Sequence, residues 1–122
     1  MTVENLALQA AKLLYDKLGE DVVVLRVAHL TVLADFLVIA TGRSAIQARA
    51  MADHLEEQLA AQSNLKPRRV EGRNDASWIV LDYLNVIVHI FKPEARSFYR
   101  LERLWDDGQN RLILPFDSAA QA

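Results

Sequence analysis

Residues 78–83 read Trp-Ile-Val-Leu-Asp-Tyr, residues 86–91 read Val-Ile-Val-His-Ile-Phe, and only Leu84 and Asn85 separate them. Two short runs rich in β-branched and aromatic residues, with so brief a break, predict a β-hairpin. A two-residue connection sets Tyr83 opposite Val86, Asp82 opposite Ile87 and Trp78 opposite Phe91. Side chains alternate along a strand, so one face holds Ile79, Leu81, Tyr83, Val86, Val88 and Ile90, which reads as core. The other holds Trp78, Val80, Asp82, Ile87, His89 and Phe91, apolar enough to be sticky and polar enough to be partly wet. Two readings stay open for that mixed face. A helix covers it, with Asp82 and His89 satisfied at the margin, or part of it remains a docking surface together with the aromatic helix that follows. A four-residue loop keeps this pairing; a three-residue loop or a bulge breaks it.

The rest of the chain alternates in type. Val3, Leu6, Ala10, Leu13, Leu14 and Leu18 recur at helical spacing and Gly19 offers a stop, which predicts a helix over 3–18. Residues 21–27 and 36–41 read as strands, with 29–34 as a connection that could hold a short pairing segment. Ser44 and Gln47 form a capping box for a second helix, whose stripe is Ala45, Ala48, Ala52, Leu55 and Leu59 and which fades near residues 62–64. A third strand spans 68–71 and closes into the Gly72-Arg73-Asn74-Asp75 loop. After the hairpin, Pro93 and Glu94 suit a helix N-terminus, and the helix is expected to run to Trp105. In it Phe98, Leu101 and Trp105 share an inward stripe, whereas Tyr99 and Glu102 share another. Residues 1–107 are expected to form one domain and residues 108–122 an irregular or frayed tail.

Composition bounds the function. The 122 residues suffice for one buried core, and with 52% hydrophobic and 25% charged residues the chain is globular in type. There are no cysteines, which excludes disulfides, thiolate metal ligands and a thiol nucleophile. No basic leader followed by an apolar stretch opens the chain, and no apolar run nears the ~20 residues of a membrane helix, so a cytoplasmic protein without membrane contact is expected. A net charge of −2 and a pI near 5.9 argue against a nucleic-acid groove. The densest basic cluster, Lys66, Arg68, Arg69 and Arg73, reads as a solvated strand end.

The residues of catalysis are not assembled in any recognisable pattern. Nucleotide transfer needs carboxylates two apart on one strand, and Asp21, Asp35 and Asp82 each stand alone. Gly42-Arg43-Ser44 before a helix could cradle a phosphate but lacks a Gly-Lys-Ser/Thr pattern, and Ser44 is explained as a cap. His29, His54 and His89 show no metal-ligand spacing. A Ser44–His89–Asp82 triad lacks the strained elbow that exposes a nucleophile. No cofactor is expected.

Several stretches together resemble the ribosomal silencing factor family, RsfS, also called Iojap-like. They are residues 34–42 (ADFLVIATG), 70–72 (VEG), 78–82 (WIVLD), 88–91 (VHIF) and 96–105 (RSFYRLERLW), and the likeness extends over residues 3–106. It implies a single α/β domain with a mixed five-stranded sheet flanked by helices, nucleotidyltransferase-like without that fold's catalytic carboxylates. It also implies binding to the large ribosomal subunit through ribosomal protein uL-fourteen, blocking of small-subunit joining, and repressed translation when nutrients are scarce. Related proteins act in organelles, but no Arg- and Ser-rich transit leader is seen here. One departure stands out: where the family usually has Gly in the hairpin turn this chain has Leu84, which a positive φ would strain.

These readings combine into a non-enzymatic ribosome-binding regulator acting by steric exclusion. Trp78, Asp82, Tyr83, His89, Phe91, Tyr99, Glu102, Leu104 and Trp105 are the residues expected at the partner surface. Peripheral rRNA contact and homodimerisation stay open. The rivals are a nucleotide-binding or nucleotidyl-transferring enzyme, which the Gly42 turn favours weakly, and a purely structural dimerisation module.

Overall fold

A computed structural model describes residues 2–116. The hairpin forms in the expected register: β4 (Trp78–Asp82) pairs antiparallel with β5 (Val86–Phe91), with Trp78 opposite Phe91 and Asp82 opposite Ile87. Its turn is tighter than a plain two-residue loop. Asn85 N–H donates to the Tyr83 carbonyl at 3.0 Å around Leu84, whose φ is 76°, so Leu occupies the left-handed position that strains it. The Asp82 carboxylate relieves part of that cost by accepting from Leu84 N–H at 2.8 Å.

Around the hairpin lie α1 (Val3–Asp16), β1 (Glu20–Arg26), β2 (Phe36–Thr41), α2 (Ala45–Ser63) and β3 (Arg69–Glu71), followed by α3 (Pro93–Tyr99) and α4 (Leu101–Trp105). The expected mixed five-stranded sheet is present, in the order β1-β2-β5-β4-β3. Only β2 and β5 are parallel, and the crossover a parallel pair requires is supplied by α2, β3 and β4. Leu14 of α1 and Met51, Leu55 and Leu59 of α2 pack on one sheet face against Val24, Val38, Ile79, Leu81, Val88 and Ile90. A smaller cluster occupies the opposite face, where Ala95, Leu101 and Trp105 lie over Val23, Leu25, Leu37, Ile39 and Phe91.

Local chemistry sets the element ends. Thr2 caps α1, its hydroxyl accepting from Asn5 N–H at 3.0 Å. The helix stops at Asp16, two residues before the expected end, because Lys17 and Gly19 N–H both return to the Leu14 carbonyl; Leu18, with φ 65°, makes the left-handed turn instead of Gly19. Ser44 caps α2 as expected, accepting from Gln47 N–H at 3.1 Å. The Gln47 carbonyl reaches Arg43 N–H rather than Ser44, and its amide nitrogen donates to the Leu18 carbonyl at 3.0 Å, tying the two helices together. Met51 joins the buried stripe of α2, while Ala45 is only half-buried.

Three expectations need correction. Residues 29–34 contain no pairing segment; Leu30 and Thr31 N–H turn back onto the Val27 carbonyl. The strand expected over 21–27 is shifted by one residue, running from Glu20 to Arg26. Residues 106–116 are irregular but not frayed. Arg26 N–H donates to the Asn110 carbonyl and Leu112 N–H to that of Val24, both at 2.9 Å, so this segment lines the outer edge of β1. Leu114 is buried in the main core and Phe116 stacks on Tyr15 with centroids 4.1 Å apart. Periodicity could not reveal this, because the anchors are long-range. Residues 117–122 of the expected tail lie outside the described residues.

Candidate partner-docking face

Trp78 organises the mixed face. It opens β4, where Gly72 and the loop after it set its backbone: φ at Gly72 is 83°, and a Cβ there would lie 1.9 Å from the Trp78 carbonyl oxygen. The loop is clamped to α2. The Arg49 guanidinium donates to the carbonyls of Arg73 and Asn74, while Arg73 pairs with Asp53 and, at 2.7 Å, with Glu56. The half-buried indole packs on Phe91 and on Tyr99, each with centroids 4.8 Å apart, and its N–H donates to His89 Nδ1 at 3.0 Å.

Tyr99 reaches Trp78 because the last helix is two helices, not one. Arg100 adopts a left-handed conformation (φ 49°), ending α3 and re-aiming the chain into α4. Arg96 fixes the bend: its guanidinium donates to Thr41 Oγ1 at 2.8 Å and through two nitrogens to Glu102 Oε2 at 3.1 and 3.0 Å. The break also overturns the expected inward stripe. Leu101 and Trp105 do pack inward, with Ala95, but Phe98 is 78% exposed and stands edge-on to Tyr99, centroids 5.0 Å apart.

The nine residues expected at the partner surface therefore separate by burial. Tyr99 and Leu104 are exposed, and Trp78, Asp82, Glu102 and Trp105 are half-buried. Three are enclosed. Tyr83 lies on the core face, Phe91 is fully enclosed, and His89 is 8% exposed. Burial, then the nearby Glu56, raises the Tyr83 phenol above its ordinary pKa, and its oxygen has no hydrogen-bond partner among the described residues. Asp82 and Glu102 have structural work: Asp82 also accepts from Arg68 at 3.2 Å, and Glu102 holds Arg96. Reading the strands alone could not separate open residues from enclosed ones, because both share one alternation. Phe98 was missed as a surface residue because an unbroken helix turns it inward, and the loop residues Val32 and Leu33, also strongly exposed, lie in a stretch without periodicity.

Other chemistry is used up locally. Arg68 pairs with Asp82, Arg69 with Glu71 at 3.6 Å, and Arg73 with Asp53 and Glu56, so most of the basic cluster is neutralised. His29 is bonded to Asp107 at 2.7 Å. No group of three or more metal-ligating side chains occurs among the described residues. A cavity of about 760 Å³ beside the start of β1 is lined by Glu20, Asp21, Arg96, Glu102 and Arg111, with Arg96 already paired to Glu102. No helix among the described residues is long and apolar enough to cross a membrane.

What the fold and this face define is a small α/β protein with a partly open aromatic cluster at one sheet face. The chain belongs to the RsfS family, described as "Ribosomal silencing factor during starvation", whose profile it matches over residues 1–122. It is 40% identical to the ribosomal silencing factor RsfS of Zymomonas mobilis over 101 residues, 80% of this chain and 75% of that one. It is 35% identical to RsfS of Bacillus subtilis over 92 residues, 75% of this chain and 77% of that one. A crystal structure of a Chromobacterium violaceum protein superposes with a TM-score of 0.83 at 28% identity, covering 98% of this chain and 97% of that one. The family's naming as silencing factors places the chain among regulators of translation that act at the ribosome.

Proposed function

We propose that the chain docks on the large ribosomal subunit through ribosomal protein uL-fourteen and sterically excludes the small subunit, repressing translation under nutrient limitation. The observation that carries this reading is the Trp78–Tyr99 pair, an aromatic contact held half-open at the margin of an otherwise packed sheet face. Interfaces concentrate their energy in a few such anchors, and exposed Phe98, edge-on to Tyr99, extends the apolar surface beside them. Arg68, Arg69 and Arg73 have carboxylate partners within the chain, so in this reading rRNA contact is confined to the rim. The protein acts in the cytoplasm, without a cofactor and without turnover.

Co-sedimentation with separated subunits tests the proposal. The protein should travel with large subunits, and adding it should lower the yield of joined ribosomes. Migration with small subunits alone, or undiminished joining at saturation, would refute it. A thermal-shift titration with nucleotide and magnesium should show no stabilisation; magnesium-dependent nucleotidyl transfer lost in Asp82→Ala would establish the enzyme reading instead.

A further inference from the structure

An aromatic anchor on a strand end contributes little if its ring must first be ordered, since immobilising one side chain on binding costs about 0.5–1.5 kcal/mol. Trp78 is ordered beforehand. His89 precedes by two residues Phe91, the cross-strand partner of Trp78, and is therefore its diagonal neighbour on the same face. The indole N–H is a donor only, so at 3.0 Å His89 Nδ1 must be the acceptor, which places the imidazole proton on Nε2. Burial favours that neutral form, lowering the His89 pKa to about 4. Phe91 backs the indole from beneath at 4.8 Å and Tyr99 flanks it at the same distance, leaving the hydrogen bond to set how the ring is turned.

We infer that His89 is the positioning residue of the docking face: its imidazole accepts the Trp78 N–H and holds the indole beside Tyr99 in the orientation a partner meets. This rests on the docking reading of Trp78 and Tyr99. A histidine that merely filled space would need no acceptor at Nδ1, and the two roles are therefore separable. Asn carries an oxygen at the Nδ1 position; Leu fills similar volume without one.

The test uses the full chain with His89→Leu and His89→Asn, following the Trp78 indole proton by NMR beside a large-subunit binding titration and a melting curve. In the wild type that proton should exchange with solvent slowly. In His89→Leu its exchange should accelerate and binding should weaken about fivefold, the ordering cost of one side chain; His89→Asn should restore both. A wild-type Trp78 proton that exchanges as fast as free indole overturns the inference even if no variant folds. Unchanged exchange and binding in a folded His89→Leu overturn it, and so does equal impairment of the Leu and Asn variants. Normal binding by Trp78→Ala would instead sink the docking reading and the binding half of this inference, while the exchange data still decide whether His89 holds the ring.

Discussion

β2 and β4 are strands of one sheet with different fates. β2 is buried at all six of its positions, because α1 and α2 cover one face and α3 with α4 the other. β4 is buried only at Ile79 and Leu81, its alternate positions Trp78, Val80 and Asp82 staying partly open. Coverage on the second face therefore stops partway across the sheet. The lesson is that a sheet face only partly covered by its helices is where this small domain can keep an aromatic surface while its other face stays packed.

The largest effect that sharpens this contrast compares neighbours on β4. Leu81→Ala, which empties a fully buried site, should cost about 2–5 kcal/mol in denaturant unfolding, whereas Val80→Ala should cost less than about 1.5 kcal/mol. Equal losses would mean that the second face is as enclosed as the first.

Acid probes the buried margin of the same face. The His89 pKa is lowered to about 4 from an ordinary 6.5, so the unfolded chain takes up a proton at a higher pH than the folded one. Stability from this group is complete above about pH 6.5 and falls as the pH drops toward 4, by up to about 3 kcal/mol. Melting temperatures across that window should decline in the wild type, and the decline should flatten in His89→Leu.

Truncating the open aromatics should act on binding. Tyr99→Ala should weaken large-subunit binding at least tenfold, about 1.4 kcal/mol, with its melting temperature nearly unchanged since the residue is 51% exposed. Trp78→Ala should weaken binding similarly and also lose some stability, because its ring packs on Phe91. If either loses binding only by unfolding, the face is core and the contrast with β2 disappears. In the turn beneath it, Leu84→Gly should raise stability by about 0.5–1 kcal/mol, since relief of a positive φ outweighs the added freedom of glycine. The smallest effect belongs to helix α2: Glu57→Lys should leave binding unchanged, while Glu56→Lys, by breaking the Arg73 clamp on the loop before Trp78, should reduce it modestly.

Much of the architecture was legible because local patterns and tertiary environment agreed. The alternation in 78–91 gave the hairpin register and both of its faces, and the Ser44 cap marked the start of α2. Less of the candidate face was legible. Helical spacing puts Phe98 on an inward stripe with Leu101 and Trp105, but the left-handed Arg100 breaks that helix, and Phe98 stands exposed beside Tyr99. The break is held by Arg96 reaching Thr41, 55 positions earlier, a bond that no local pattern announces.

The sequence by itself determined the hairpin pairing, the hairpin's core face, the absence of thiol chemistry and the family likeness, because periodicity and composition act through neighbours along the chain and across a short turn. Only the tertiary structure decided which members of the mixed face are covered. That depends on where α3 and α4 settle, so Phe91 and His89 are enclosed while Trp78 and Tyr99 remain partly open. The physical reason is that strand alternation fixes the side of the sheet a residue faces, whereas its exposure is fixed by long-range packing that no local pattern encodes.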